Sequence, residues 1–162
     1  MAKSLVLSVS LWTGCYRHIQ IGEGATLSAL SNAILGAVGF DDDHLSSFFM
    51  NNRAWDEEAE FVCPRGYLDN AQGFTDEVEL SQFSLAKGDK FMYLYDYGDE
   101  WRFQIKVLRV IDGPTAWPVI LKSVGQVSQY DDNDDEDWYG FVDDDEDDGD
   151  GDDEDDDNND IV

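Results

Sequence analysis

The residues whose types and spacing could do chemistry fall in three short stretches. The first is Asp41-Asp42-Asp43-His44. An imidazole beside carboxylates can serve as a general base held by an acid, or can ligate a metal. His44, Asp42 and Asp43 are the candidate ligands, although one histidine among loop aspartates is weak coordination spacing. The only other imidazole is His18, so a two-histidine carboxylate site requires these two segments to meet. The blander reading is that His44 caps or packs at a strand entrance. The second stretch is Asp96, Asp99, Glu100 and Trp101. Carboxylates beside an aromatic cleft can bind a cation or act as acid or base. Asp96 and Asp99 can equally bond turn amides, which explains the stretch without a substrate. His44, Asp96 and Asp99 in one cleft would form the catalytic constellation of an enzyme, with or without a metal. The third is Arg17, which follows Tyr16 and shares a side with Cys15 and Ile19. An inward guanidinium needs a partner, and Asp96 or Asp99 is the expected one.

Several chemistries lack their residues. There is no phosphate loop, GxGxxG, GxSxG or HExxH. Cys15 and Cys63 form no CxxC, which leaves two free thiols and no structural zinc site or disulfide framework. The formal net charge is −27. Residues 131–162 hold 20 acids and no Lys or Arg, so residues 1–130 hold the other 17 acids against all 10 basic residues, a net of −7. Neither part suits a nucleic-acid binder, whose affinity comes largely from cations on phosphates, and anionic membranes are disfavoured for the same reason. A basic protein partner is expected instead. Asp144 to Gly149 approaches a calcium loop, but Glu146 stands at the third position, Asp155 at the twelfth, and no helical pattern flanks it. Loose binding of divalent cations by the tail is the most that such charge implies, and no cofactor is expected.

These residues are positioned by a hairpin, Phe91 to Val107. Phe91, Tyr93, Tyr95 and Tyr97 recur every second residue, as do Trp101, Phe103, Ile105 and Val107. That period places each set on one face of a strand. Tyr97-Gly98-Asp99-Glu100 is the expected turn, with Gly98 free to take a positive φ. Tyr95, Tyr97, Gly98, Asp99 and Trp101, with Arg17, are the candidate binding residues. Leu5–Leu11 and Cys15–Ile21 are predicted to pair as an N-terminal hairpin, with Tyr16, His18 and Gln20 outward. The start of the chain also has faint features of a lipoprotein signal ending at Cys15, but alternation of Leu5, Leu7, Val9 and Leu11 with serines favours a half-buried strand. Thr26 is the expected cap of a helix over Leu27–Val38, and Gly39 its stop. Gly36 inside that helix suggests close approach of a neighbour. A short strand at Ser46–Met50, an irregular excursion over Asn51–Gln72 relieved by Phe61-Val62-Cys63, a short helix over Thr75–Phe83 capped by Thr75, and a last strand near Trp117–Leu121 follow.

YDYGDEW, preceded by Lys87-Gly88-Asp89-Lys90-Phe91, resembles the signature of the plasmid Ri ORF-three-like family. So do Tyr16-Arg17, where the family usually has Trp, Thr26-Leu27 at the helix start, Gly39 to Leu45, and a closing Gly125, Gln129 and Tyr130. The resemblance spans about Leu5 to Tyr130 and excludes the tail. Members are often labelled transposon-associated or resolvase-like, without an established role. Serine recombination needs an arginine cluster and a DNA-binding extension, and the arginines here are scattered, so resolvase activity is not expected.

The reading is therefore an α+β protein: an antiparallel or mixed sheet built from hairpins, with one main helix on one face. Residues 1–130 form the domain, and residues 131–162 form a disordered acidic tail carrying an apolar island at Trp138, Tyr139, Phe141 and Val142. The expected function is that of a cytoplasmic, non-catalytic binding or adaptor module whose tail contacts basic partners.

Overall fold

The structure, a computed structural model, describes residues 2–68 and 70–129. The acidic tail, its island and its calcium-like run fall outside the described residues. The elements are β1 (Lys3–Trp12), β2 (Cys15–Gly22), α1 (Leu27–Val38), β3 (Ser46–Phe49), β4 (Glu60–Val62), β5 (Gly73–Phe74), β6 (Lys90–Tyr95), β7 (Trp101–Asp112) and β8 (Val119–Val124). All eight strands form one sheet in the order β5-β4-β3-β6-β7-β1-β2-β8. Only β4 and β5 pair parallel, so the sheet is mixed.

Strict alternation builds the core. Leu5, Leu7 and Val9 of β1, Ile19 and Ile21 of β2, Phe91, Tyr93 and Tyr95 of β6, and Phe103, Ile105 and Val107 of β7 are all buried on one face. Leu27, Leu30, Ile34, Leu35 and Val38 of α1 close over them. Each large side chain so buried contributes about 1.5–3 kcal/mol. The helix has both expected ends. Thr26 Oγ1 accepts from Ala29 N at 3.0 Å, and Gly39 adopts φ 78° while its N–H reaches Leu35 O.

Some expectations give way. Gly36 is exposed, and a Cβ there would meet nothing within 4 Å, so no close approach accounts for it. Thr75–Phe83 is not one helix but two 3₁₀ turns, Thr75–Glu77 and Leu80–Phe83, divided at Val78 and Glu79. The reason is long-range. Thr26 bridges to Glu79, and Leu27 N donates to Val78 O, which holds that residue pair extended. The last strand starts two residues later than expected and lies on the sheet edge.

The central hairpin forms as expected, with Tyr95 opposite Trp101. Its loop is built differently. The left-handed residues are Asp96 (φ 70°) and Glu100 (φ 54°), and Gly98 is not among the positive-φ residues. Asp96 makes this conformation tenable, because its Oδ1 accepts from Gly98 N at 3.0 Å and Asp99 N at 3.3 Å.

Candidate functional site

Three candidate groups converge beside the hairpin loop. Asp96 follows β6 directly, and its backbone N–H donates to Leu45 O at 2.8 Å, which draws the Asp41–His44 loop alongside. With Oδ1 committed to the turn, Asp96 Oδ2 lies 3.6 Å from His44 Nε2, and Asp43 Oδ1 lies 3.4 Å from the same nitrogen. The His44 ring meets Tyr95 edge-on, with centroids 5.8 Å apart. Tyr95 is fully buried, yet its hydroxyl reaches this loop. It accepts from Asp43 N at 2.9 Å, and its single proton is shared between the Asp41 carbonyl and Asp43 Oδ1. Burial pushes the Tyr95 phenol above its ordinary range, and the Asp43 carboxylate adds to that, while the Asp43 N–H and the Gln129 amide act against it.

Gln129 completes the cluster. Its Oε1 accepts from Asp41 N at 2.6 Å, and its Nε2 lies 3.2 Å from both Asp41 O and Asp43 Oδ1 and 3.3 Å from the Tyr95 hydroxyl. Gly125 makes this docking possible. At φ 82° its Cα sits so close to the β1–β2 turn that a Cβ would fall 2.2 Å from Gly14 O. Residues up to 88 positions apart in sequence, from Asp41 to Gln129, thus meet at one clasp, and they are the residues that carried the family resemblance. Sequence reasoning named Gln129 only as part of that resemblance. Arg65 was missed altogether: it donates to Asp42 Oδ1 and to His44 O, each at 3.0 Å, and buttresses the loop from its far side.

The catalytic trio is divided. His44 and Asp96 come together, but Asp99 lines a different cleft of about 450 Å³ with Leu11, Trp12, Glu100, Trp101 and Arg102. Glu100 Oε1 is paired there with Arg102 at 2.6 Å. Trp101 packs edge-on against Phe40 at 4.9 Å, and its buried indole N–H has no acceptor among the described residues. Tyr97 turns to the other face, where its hydroxyl lies 2.6 Å from Ser47 Oγ. Burial and the nearby Glu60 carboxylate push the Tyr97 phenol up to about 12, against the hydrogen bond it shares with Ser47.

Arg17 is inward, as expected, and only 7% exposed. Its partners are not Asp96 or Asp99 but three carbonyls: Ala37 O at the C-terminal end of α1 (3.0 Å), Tyr16 O (2.9 Å) and Val124 O (2.8 Å). A guanidinium suits the unpaired carbonyls and negative end of a helix, and β7 and β1 separate β2 from β6. The two histidines do not meet either. β6, β7 and β1 lie between the strand of His18 and the strand that His44 precedes, a separation of about 19 Å at ~4.8 Å per strand. Among the described residues no group of three or more His, Cys, Asp or Glu is arranged to hold a metal ion.

A mixed sheet with one helix on its face and the motif residues gathered at the hairpin loop defines an α+β protein of the ORF-three-like type. The family model described as plasmid pRiA4b ORF-3-like protein matches residues 6–160, and the chain belongs to that family. The match runs through the acidic segment, beyond the stretch where the resemblance was legible. A crystal structure of a protein of unknown function from Methanosarcina mazei Go1 is similar in fold, with a TM-score of 0.59 and 22% identity, covering 76% of this chain and 70% of that one. No curated protein matches. No helix among the described residues is long and apolar enough to cross a membrane.

Proposed function

We propose that this protein is a small, non-catalytic binding module of the cytoplasm that takes a lysine- or arginine-bearing segment of a basic protein partner. The observation that carries the reading is the cleft at the hairpin tip, where the Trp12 and Trp101 indoles stand beside the Asp99 and Glu100 carboxylates. Aromatic faces attract cations at about 0.5–2 kcal/mol, and carboxylates supply the countercharge. Glu100 is already occupied by Arg102, so Asp99, which is exposed, is the carboxylate best able to receive a new cation. Two buried free thiols, Cys15 and Cys63, accord with a reducing compartment. The acidic tail, with 20 acids and no Lys or Arg, adds a second surface for basic partners.

The clasp supports a second, enzymatic reading only in part. His44 between Asp43 and Asp96 has the makings of an acid–base group. However, Asp96 Oδ1 and the Tyr95, Asp41 and Gln129 groups are committed to holding three chain segments together. Their bonds explain the cluster as architecture.

The test is titration of the full chain with a lysine- and arginine-rich peptide, followed by tryptophan emission. Asp99→Asn is expected to weaken binding about tenfold, which is ~1.4 kcal/mol. Because the tail attracts polycations without the cleft, an unchanged affinity in Asp99→Asn would place binding on the tail and refute the cleft.

A further inference from the structure

The face of the sheet away from α1 carries charge of the opposite sign to the rest of the chain. Cross-strand register lines up Lys90 with Lys106, Lys106 with Ser8, Ser8 with His18, and His18 with Lys122. This is one transverse row over β6, β7, β1, β2 and β8, about 19 Å long at ~4.8 Å per strand. Arg109 stands one row further along, opposite Val6. Lys122 lies over the Tyr16 ring at 5.7 Å, and Tyr16 packs against His18 at 5.1 Å. Lys90, Lys106, Arg109 and Lys122 are all exposed, and none has an ion-pair partner among the described residues. These five strands contain one acid, Asp112 at the end of β7.

Like charges directly opposite one another on a sheet are destabilising, and Lys90 faces Lys106. Burial together with Lys122 and Arg109 holds the His18 imidazole down at about 4. Four of the chain's ten basic residues thus share one strand face with no acidic partner among the described residues. Such a row fits an extended polyanion.

We propose that the occupant is the chain's own acidic segment, residues 131–162, laid across the Lys90–Lys106–His18–Lys122 row. Charge complementarity argues for it, with 20 acids and no Lys or Arg in that segment. Reach allows it. Gln129, the last described residue, is fixed at the clasp, and the 33 residues after it extend up to about 110 Å at ~3.3 Å each. A domain of some 130 residues has a radius of gyration near ~14 Å, so any face is within range. Tethering also gives the segment an effective concentration of about millimolar order, which a free polyanion must exceed. A basic partner drawn to the tail would then have to lift it from the row.

The experiment uses the dilute full chain and a zero-length carbodiimide, which joins lysine amines to carboxylates, with cross-links read by mass spectrometry. The chain has five lysines: Lys3, Lys87, Lys90, Lys106 and Lys122. Cross-links from residues 131–162 are expected to favour Lys90, Lys106 and Lys122 several-fold over Lys3 and Lys87, and to fall away at about 0.5 M salt, where the Debye length is only ~4 Å. Equal cross-linking to all five lysines, or none to the row, would overturn the proposal. So would cross-links in a mixture of isotope-labelled and unlabelled chains that join the two kinds, since the occupant would then be a second copy. Tight binding of an oligothymidine by the full chain, lost on Lys106→Glu, would also overturn it, showing a row open to nucleic acid.

Discussion

Over β3 and β6 the face opposite α1 is covered by residues 50–59, whereas over β7, β1, β2 and β8 it is more open, closed only at one end, where Ser4 bonds Gly113 and Thr115, Gln20 bonds Thr115 and Val6 is buried. On the covered side Trp55 packs on Phe49 at 5.7 Å and on Tyr97 at 5.1 Å. Asn52 Nδ2 donates to Gln104 Oε1 at 3.3 Å, and Gln104 Nε2 donates to Asn52 Oδ1 at 2.9 Å, at the margin of that cover. Phe49 and Leu94 are completely buried on this side, and all four residues of β3 are buried. On the more open side the matching positions are Ser8, Ser10, Tyr16, His18, Gln20, Lys106 and Lys122, with Ser4 and Val6 buried at one end. The same backbone therefore supports two regimes. A two-sided core needs apolar residues at both phases of the strand, and polar groups caught inside it must find partners. Ser47 does so by donating to Glu60 Oε2 at 2.6 Å and receiving Tyr97. A one-sided core leaves its outer phase free to carry charge.

The comparison can be broken most forcefully at Phe49. Phe49→Ala should cost about 3–5 kcal/mol, since it empties a buried site under Trp55. Tyr16→Ala, on the more open side, should cost about 0.5 kcal/mol or less. Urea denaturation of the two variants compares them directly, and similar losses would mean that the two faces are not distinct.

Glu60 tests the polar side of the covered half at a smaller magnitude. It is 8% exposed and accepts from Ser47. Glu60→Ala should cost about 1–3 kcal/mol by orphaning that hydroxyl. Glu60→Gln keeps an acceptor and should restore most of the loss. It should also lower the Tyr97 phenol from about 12 toward 10, read by ultraviolet titration, because the Glu60 carboxylate is one of the groups holding it up.

His18 gives the smallest effect and sharpens the picture of the more open half. Its folded value of about 4 lies below the 6.5 of a free imidazole, chiefly through burial and then through Lys122 and Arg109. The unfolded chain takes up that proton first as pH falls. His18's contribution to stability is therefore fully present above 6.5 and drains away between 6.5 and about 4. His18→Asn should flatten the stability profile across that window, as measured by urea midpoints. An unchanged slope would mean that the imidazole is not held neutral by its neighbours.

Much of the frame was legible because its signals are local. Alternation in FMYLY and WRFQIKV placed the central hairpin, and Thr26 and Gly39 bracketed α1 at both ends. Tyr16, His18 and Gln20 were assigned outward from the same period. The site was harder to read. Asp96 resembled a binding carboxylate or a turn residue, and it is both a turn residue and the neighbour of His44. Gly73–Phe74 was missed, since a two-residue strand has no periodicity to detect. Gly98 attracted the positive φ that Asp96 in fact adopts, because glycine is the usual sign of that conformation and an aspartate that bonds its own turn is a rarer one.

By itself, then, the sequence determined the longer strands, the main helix and which side of those strands is apolar. Spacing, capping and turn chemistry act within a few residues. Only the tertiary structure decided which distant residues meet. Gln129 reaches Asp41 across 88 positions, Arg17 finds Val124 O across 107, and Lys90, Lys106, Ser8, His18 and Lys122 become one row. Those neighbours follow from strand order and register, and a one-residue slip in either would move each side chain to the opposite face.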